Sequence, residues 1–310
     1  MIVGFIGLGT MGASMASNLQ KGGYKLVVND IARQNAQRHI DAGAEWAATP
    51  KEVAERADVV FTSLPGPPEV ESVIYGEDGL IAGAHPGMAY FDLSTNSQDL
   101  VRRIHDDMAP KGAAVFDAPV SGGPHGAASG KLAIWVGGDK ALYEKLKPVL
   151  DSFGDKASYI GPIGSATVAK LVHNLSGYAI QTVMAETFTM GVKAGMDPIE
   201  LWKAIREGAL GRRRTFDRIA DQYLINHYDP PAFALKLAYK DVSLAVGLGR
   251  KVGVPMRLCN LVQEEMSEAL NRGWSHRDSR VTMLLQNERA GVTINCDRAK
   301  VKSVLDSDKG

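Results

Sequence analysis

Cysteine is scarce. Cys259 and Cys296 are the only two in 310 residues, which gives neither a disulfide framework nor a zinc-ligand spacing. An excess of one charge is missing as well. Thirty-five Lys and Arg balance thirty-five Asp and Glu. This argues against a chain built to coat nucleic acid or an anionic membrane, since those partners select a broad positive excess. A small anionic ligand held by a few local cations stays compatible. No run approaches the roughly 18 apolar residues of a membrane span. A hydrophobic fraction of 45% with 23% charged residues excludes disordered and collagen-like classes. The histidines, His39, His85, His105, His125, His173, His227 and His276, show no paired ligand spacing, so no metal is expected. Residues from Met1 enter an apolar run directly, without a basic n-region or cleavage site, and a reducing, cytoplasmic setting is the expectation.

What the chain has in plenty is glycine, and it is unevenly spread: twenty of the thirty-three lie before residue 161. Short β-rich runs recur in that half: Ile2-Val3-Gly4-Phe5-Ile6, Lys25 to Val28, Asp58 to Phe61, Ala89 to Asp92, Ala114 to Phe116 and Ala133 to Val136. Most are nearly continuous in apolar character, as in strands covered on both faces. Helix-compatible stretches, Met11 to Lys21, Ile31 to Asp41 and Ser97 to Met108, lie between them. This alternation predicts a Rossmann-type α/β fold with a doubly wound parallel sheet. After Gly161-Pro162-Ile163-Gly164 the pattern changes. Val168, Leu171, Val172, Leu175, Ala179 and Val183 recur at helical spacing, and the rest reads as helix with breaks near Pro198, Pro230-Pro231, Pro255 and Gly273. The expected organisation is a dinucleotide-binding domain over 1–162, a long connecting helix over 163–193 and an all-helical domain over 194–310. The residues after Gly291 read as a polar, fraying tail.

Gly7-Leu8-Gly9-Thr10-Met11-Gly12 follows the first run and opens a helix. The first glycine permits a tight turn, the second lets backbone approach a pyrophosphate, and the third allows close helix packing. Asp30 ends the second run, eighteen residues beyond Gly12, where a carboxylate can accept from the adenosine ribose hydroxyls. It would repel a 2′-phosphate, so NAD is favoured over NADP. Two other readings stand beside this one: Asp30 caps the next helix, or nearby Arg33 accommodates a 2′-phosphate.

Four ordered segments together resemble the β-hydroxyacid dehydrogenase family, and the resemblance spans nearly the whole chain. They are Gly4 to Gly12 with Met15 and Asn18-Leu19; Asp117-Ala118-Pro119-Val120-Ser121-Gly122-Gly123 with Ala127 and Gly130; Gly161 and Gly164 through Lys170 and Asn174; and Lys240-Asp241 with Leu244-Ala245. The resemblance implies NAD-dependent oxidation of a short 3-hydroxy acid, with Lys170 as general acid/base and Asn174 beside it. Ser121, Gly122 and Gly123 offer a hydroxyl and bare amides to a substrate carboxylate. A lysine whose ammonium form is disfavoured by burial and by a neighbouring cation can take the hydroxyl proton. Lys240 is the candidate neighbour, in contact with substrate and cofactor.

His173 reads as a supporting or helix-packing residue, although Lys-x-x-His-Asn also resembles 6-phosphogluconate dehydrogenase. That relative's usual form is longer. Leu64, Pro65 and Thr95 resemble cofactor-facing loop residues. Ala166 stands where a glycine is usual, and Asn96-Ser97 replaces a more familiar apolar residue and its successor. Phe233 resembles a pocket-lining aromatic, with a core role as the competing reading. One of Arg212, Arg213 and Arg214, with Arg213 the candidate, is placed to hold a second anionic group; a solvated or dimer-contact basic cluster is the alternative. Further alternatives are reduction of a tartronate- or succinic-type semialdehyde, oxidative decarboxylation, and a non-catalytic NAD-binding scaffold. The resemblance also implies a homodimer or homotetramer; neither a nucleic acid nor a membrane partner is expected.

Overall fold

A computed structural model describes residues 1–212, 219–251, 253–291 and 293–307. The chain divides into two compact units, Met1–Ser176 and Gly177–Gly310. The division falls inside the helix Ser165–Lys193.

The first unit is built on β1 (Ile2–Ile6), β2 (Lys25–Asn29), β3 (Glu45–Trp46), β4 (Val59–Thr62), β5 (Ala89–Asp92), β6 (Ala114–Asp117), β7 (Val120–Ser121), β8 (Leu132–Gly137) and β9 (Gly154–Gly161). They form one sheet in the order β3-β2-β1-β4-β5-β6-β8-β7, with β9 paired to β8. The predicted parallel arrangement holds from β3 through β6. Beyond it the direction reverses: β8 runs antiparallel to β6 and β7, and β9 parallel to β8. Helices cover both faces, so strand residues of either parity are buried and two separate apolar clusters form. That is the physical origin of the unbroken apolar runs.

Register is fixed by aromatic packing. Phe5, Phe61, Phe91 and Phe116 are aligned across β1, β4, β5 and β6, all fully buried. Their ring centroids lie 6.1, 5.3 and 4.3 Å apart in succession, the last pair stacked within 6°. A slip of one residue in any strand would send its phenylalanine to the opposite face.

The helix-compatible stretch Ile31 to Asp41 forms a 3-10 turn, Arg33–Ala36, followed by a short helix, Gln37–Asp41. Asp30 causes the tight start, since its Oδ1 accepts from the Ala32 N–H at 2.8 Å and closes a side-chain turn. β9 was not anticipated. Its sequence, Gly154-Asp155-Lys156-Ala157-Ser158-Tyr159-Ile160-Gly161, shows no strict alternation, and half of it is exposed, a pattern that resembles a loop when read along the chain.

The second unit is helical, with helices Pro198–Glu207, Ala209–Arg212, Leu235–Lys251, Arg257–Asn271, Met283–Ala290 and Arg298–Ser307 besides the end of the long helix. Among the described residues, a core cluster gathers Tyr228, Leu235, Ala269, Val281 and Leu285. Residues 219–234 run in turns and irregular backbone, held in part by buried Asp278, which accepts from the N–H groups of Ala232 and Phe233. The tail expected to fray carries the helix Arg298–Ser307.

The phenylalanine row should dominate the stability of the first unit. Phe91→Ala is expected to cost about 3–5 kcal/mol in chemical denaturation, as for a large-to-small change in a closed core. A loss below about 1 kcal/mol would show that the row is not a tightly packed element.

Candidate active site

The glycine-rich turn leaves β1 with Gly7 at φ +90°, a conformation that disfavours any side chain. A Cβ at Gly7 would also lie 2.4 Å from Ser63 O, and one at Gly12 would lie 1.9 Å from Gly7 O. Gly9 differs: a Cβ there meets nothing within 4 Å. Its surroundings are open because the turn borders a cavity of about 910 Å³. Gly7, Gly9, Thr10, Met11, Gly12, Asp30, Leu64 and Pro65 all line that cavity. Thr95 is half-buried and not part of its wall. A bare backbone beside open space at the start of the helix Gly12–Lys21 fits a dinucleotide pyrophosphate, which needs close approach to unpaired N–H groups.

Asp30 stands at the rim with its carboxylate directed by protein donors. Oδ2 accepts from the Leu8 N–H at 2.6 Å, and Oδ1 from Ala32 N–H and from Asn35 Nδ2 at 3.1 Å. Asp30 thus combines a side-chain turn to the Ala32 N–H with a place in the cavity wall; it does not cap the 3-10 turn, whose N-cap is Ala32, with no side-chain cap. Arg33 also lines the cavity, with its guanidinium carbon 5.6 Å from the centroid of the Trp46 ring.

The loops after β4 and β5 are joined. Ser94 Oγ accepts from the Leu64 N–H at 3.0 Å. Below them Asp92, 2% exposed, accepts from Thr62 Oγ1, the Ser94 N–H and Asn96 Nδ2. Burial pushes the Asp92 carboxyl up from its ordinary value, against the hydrogen bonds from Asn96, Ser94 and Thr62. Asn96, the departure noted in the sequence, thus supplies a donor to a buried acid.

A second cluster forms where β6 and β7 meet the long helix. Asp117, 1% exposed, accepts from the Gly164 N–H at 2.8 Å and the Thr167 N–H at 2.6 Å, so the sheet itself caps the helix. Gly164 has φ +89°, while Ala166 is buried within the helix and needs no glycine. From this start the helix carries Lys170 to β7, where its Nζ donates to Val120 O at 2.7 Å. Lys170 is half-buried, and burial lowers its pKa. His173 Nε2 lies 3.3 Å from Ser121 Oγ, and its ring is 5.3 Å from that of Trp135 on β8. Asn174, half-buried, follows Lys170 by one turn. Gly122 and Gly123 take φ +135° and +60°, so the backbone after Ser121 has a course that favours glycine.

The structure thus brings Ser121, Lys170 and His173 together, and gathers Gly7, Gly9, Thr10, Met11, Gly12, Asp30, Leu64 and Pro65 around the cavity. Trp135 and the capping role of Asp117 were missed. Trp135 read only as a strand residue, and Asp117 meets its partners across 47 and 50 positions, which leaves no local signal. Lys240 and Phe233 belong to the second unit, on and just before the helix Leu235–Lys251. Phe233 is 45% exposed and outside that unit's core cluster. Arg212 ends a short exposed helix; Arg213 and Arg214 lie outside the described residues.

A family model described as the NAD binding domain of 6-phosphogluconate dehydrogenase matches residues 2–161. A second, the NAD-binding domain of NADP-dependent 3-hydroxyisobutyrate dehydrogenase, matches 164–285. The chain is 30% identical to 2-(hydroxymethyl)glutarate dehydrogenase of Eubacterium barkeri over 293 residues, 94% of this chain and 97% of the relative. It is 31% identical to 2-hydroxy-3-oxopropionate reductase of Escherichia coli over 278 residues, covering 90% and 94%. Among solved structures, Mycobacterium tuberculosis 3-hydroxyisobutyrate dehydrogenase with L-serine aligns with a TM-score of 0.64 at 28% identity, covering 92% of this chain and 98% of the other. Likeness that runs nearly end to end in both partners goes beyond a shared nucleotide-binding half: the chain belongs to the β-hydroxyacid dehydrogenase family of NAD(P)-dependent oxidoreductases.

Proposed function

We propose that this enzyme oxidises a short 3-hydroxy acid of the 3-hydroxyisobutyrate type to its semialdehyde, with NAD as the preferred cofactor. The observation that carries the reading is the half-buried Lys170 amine, held on Val120 O at 2.7 Å beside Ser121. The nicotinamide, when bound, supplies the hydride acceptor. The glycine-rich turn from Gly7 to Gly12 binds the pyrophosphate, Asp30 the adenosine ribose, and Leu64 and Pro65 flank the nicotinamide side. Ser121, Gly122 and Gly123 hold the substrate carboxylate through the hydroxyl and backbone N–H groups. Asn174, one turn beyond Lys170, holds the substrate hydroxyl.

Lys170 then takes the hydroxyl proton on Nζ. Desolvation disfavours its ammonium form, which raises the fraction of amine able to accept. In the reverse direction the Lys170 ammonium returns that proton to the carbonyl oxygen, so the same residues serve reduction of a semialdehyde. The similarity to 2-hydroxy-3-oxopropionate reductase favours keeping that direction as the second reading.

Lys170→Ala is expected to lower kcat for oxidation by about 10²–10⁴-fold, the usual contribution of a positioned proton acceptor. Lys170→Arg should not restore it, because guanidinium stays protonated. In the wild type, oxidation should fall as pH drops and protonates Lys170, with the midpoint below the ordinary lysine value. Rates on a panel of C3 to C6 hydroxy acids check this; near-wild-type turnover by Lys170→Ala removes the mechanism.

Cofactor choice provides an independent test. A carboxylate near the ribose opposes a 2′-phosphate, so Asp30→Ser should lower kcat/KM for NAD and raise the NADP-to-NAD ratio by about tenfold or more, corresponding to about 1.4 kcal/mol. An unchanged ratio in steady-state kinetics would remove Asp30 from the discrimination.

A further inference from the structure

Side chains from separate elements meet beside the Lys170 amine. Ser121 ends β7, Trp135 lies in β8, and His173 follows Lys170 by three positions, on the same side of the long helix. His173 Nε2 is 3.3 Å from Ser121 Oγ, and Trp135 packs on its ring at 5.3 Å and 57°. Lys170 is anchored on the carbonyl of Val120, the residue before Ser121. After Ser121, Gly122 and Gly123 are exposed, and a Cβ at Gly123 would meet nothing within 4 Å, so an incoming anion can approach this backbone.

The serine–imidazole contact has two forms with opposite consequences. A seryl hydroxyl has a single proton and two acceptor lone pairs. Where Nε2 accepts, that proton is spent on the ring, and Ser121 presents only lone pairs to an incoming anion. Where Nε2–H donates, the hydroxyl proton is free to turn outward and make a charge-assisted hydrogen bond to a carboxylate. Trp135 lies tilted against the exposed His173 ring, and Nε2 is the nitrogen within hydrogen-bond distance of Ser121 Oγ.

We propose that His173 is a positioning residue: its Nε2–H donates to Ser121 Oγ and turns the hydroxyl proton toward the substrate carboxylate. The proposal rests on the reading of Ser121-Gly122-Gly123 as the carboxylate-binding segment, and it assigns this chain's Lys-x-x-His-Asn histidine to substrate binding and not to proton transfer from the alcohol.

The test uses the full chain saturated with NAD and isobutyrate as probe, a carboxylate with no hydroxyl to oxidise, with binding followed by calorimetry. His173→Leu is expected to weaken isobutyrate about tenfold, the loss of one oriented hydrogen bond to a charged group, with NAD affinity unaltered. His173→Gln, whose side-chain N–H reaches a similar distance, should stay within about threefold of wild type. Ser121→Ala should lose as much as His173→Leu, and the double variant no more, because the histidine acts through the hydroxyl.

Equal binding by wild type and His173→Leu overturns the proposal, as does a wild type that binds no isobutyrate. A glutamine variant as weak as leucine would also overturn it, since this would indicate packing against Trp135; so would additive losses in the double variant. The oxidation reading fails separately. A wild type inactive on every hydroxy acid, yet binding isobutyrate in a His173-dependent way, would remove that reading and leave the positioning role supported.

Discussion

The two hydrogen bonds from the start of the long helix to the Asp117 carboxylate govern the geometry around Lys170. Asp117 ends β6, the last strand of the parallel block, and accepts from the N–H groups of Gly164 and Thr167. These donors have no intrahelical partner, so in a buried setting a helix start without the carboxylate would carry unsatisfied groups. The negative charge also matches the positive end of the helix dipole. With that end fixed to β6, Lys170 falls opposite β7, and the Val120 carbonyl is within reach of its amine. Ser121 and His173 come together through the same registration.

A second buried carboxylate has a different task. Asp92 ends β5, next to β6 in the sheet, and organises the loop after its own strand through Ser94 and Asn96. Ser94 in turn holds the Leu64 N–H, so the loop after β5 braces the β4 loop, whose Ser63, Leu64 and Pro65 line the cavity. Both acids sit at the carboxyl ends of parallel strands, where doubly wound sheets place their ligands. One fixes the helix that carries Lys170, and the other fixes the loop that holds the cavity-lining Leu64.

The departures from a purely parallel sheet have a related cause. β6 is followed after two residues by β7, and such a short link leaves no length for a helical crossover. The chain turns back through β8, which pairs antiparallel with both β6 and β7. The reversal exposes the Ser121-Gly122-Gly123 turn beside the long helix and brings Trp135 against His173.

The local sequence determined the elements whose signals are local: the glycine-rich turn after β1, the apolar runs of the parallel strands, a long helix after Gly164, and Lys170 one turn before Asn174 on that helix. Each depends on periodicity or on backbone conformations that few residues tolerate, and both can be read within a short window. Tertiary structure decided the rest. The cap at Asp117 closes across 47 and 50 positions, and the Ser121–His173 contact across 52. The polar edge strand β9 exists because β8 is there to pair with it. The composition of a segment does not encode which distant donor will satisfy its acceptor. That pairing is fixed when the two faces of the sheet are buried and only one register leaves the polar groups at its edge satisfied.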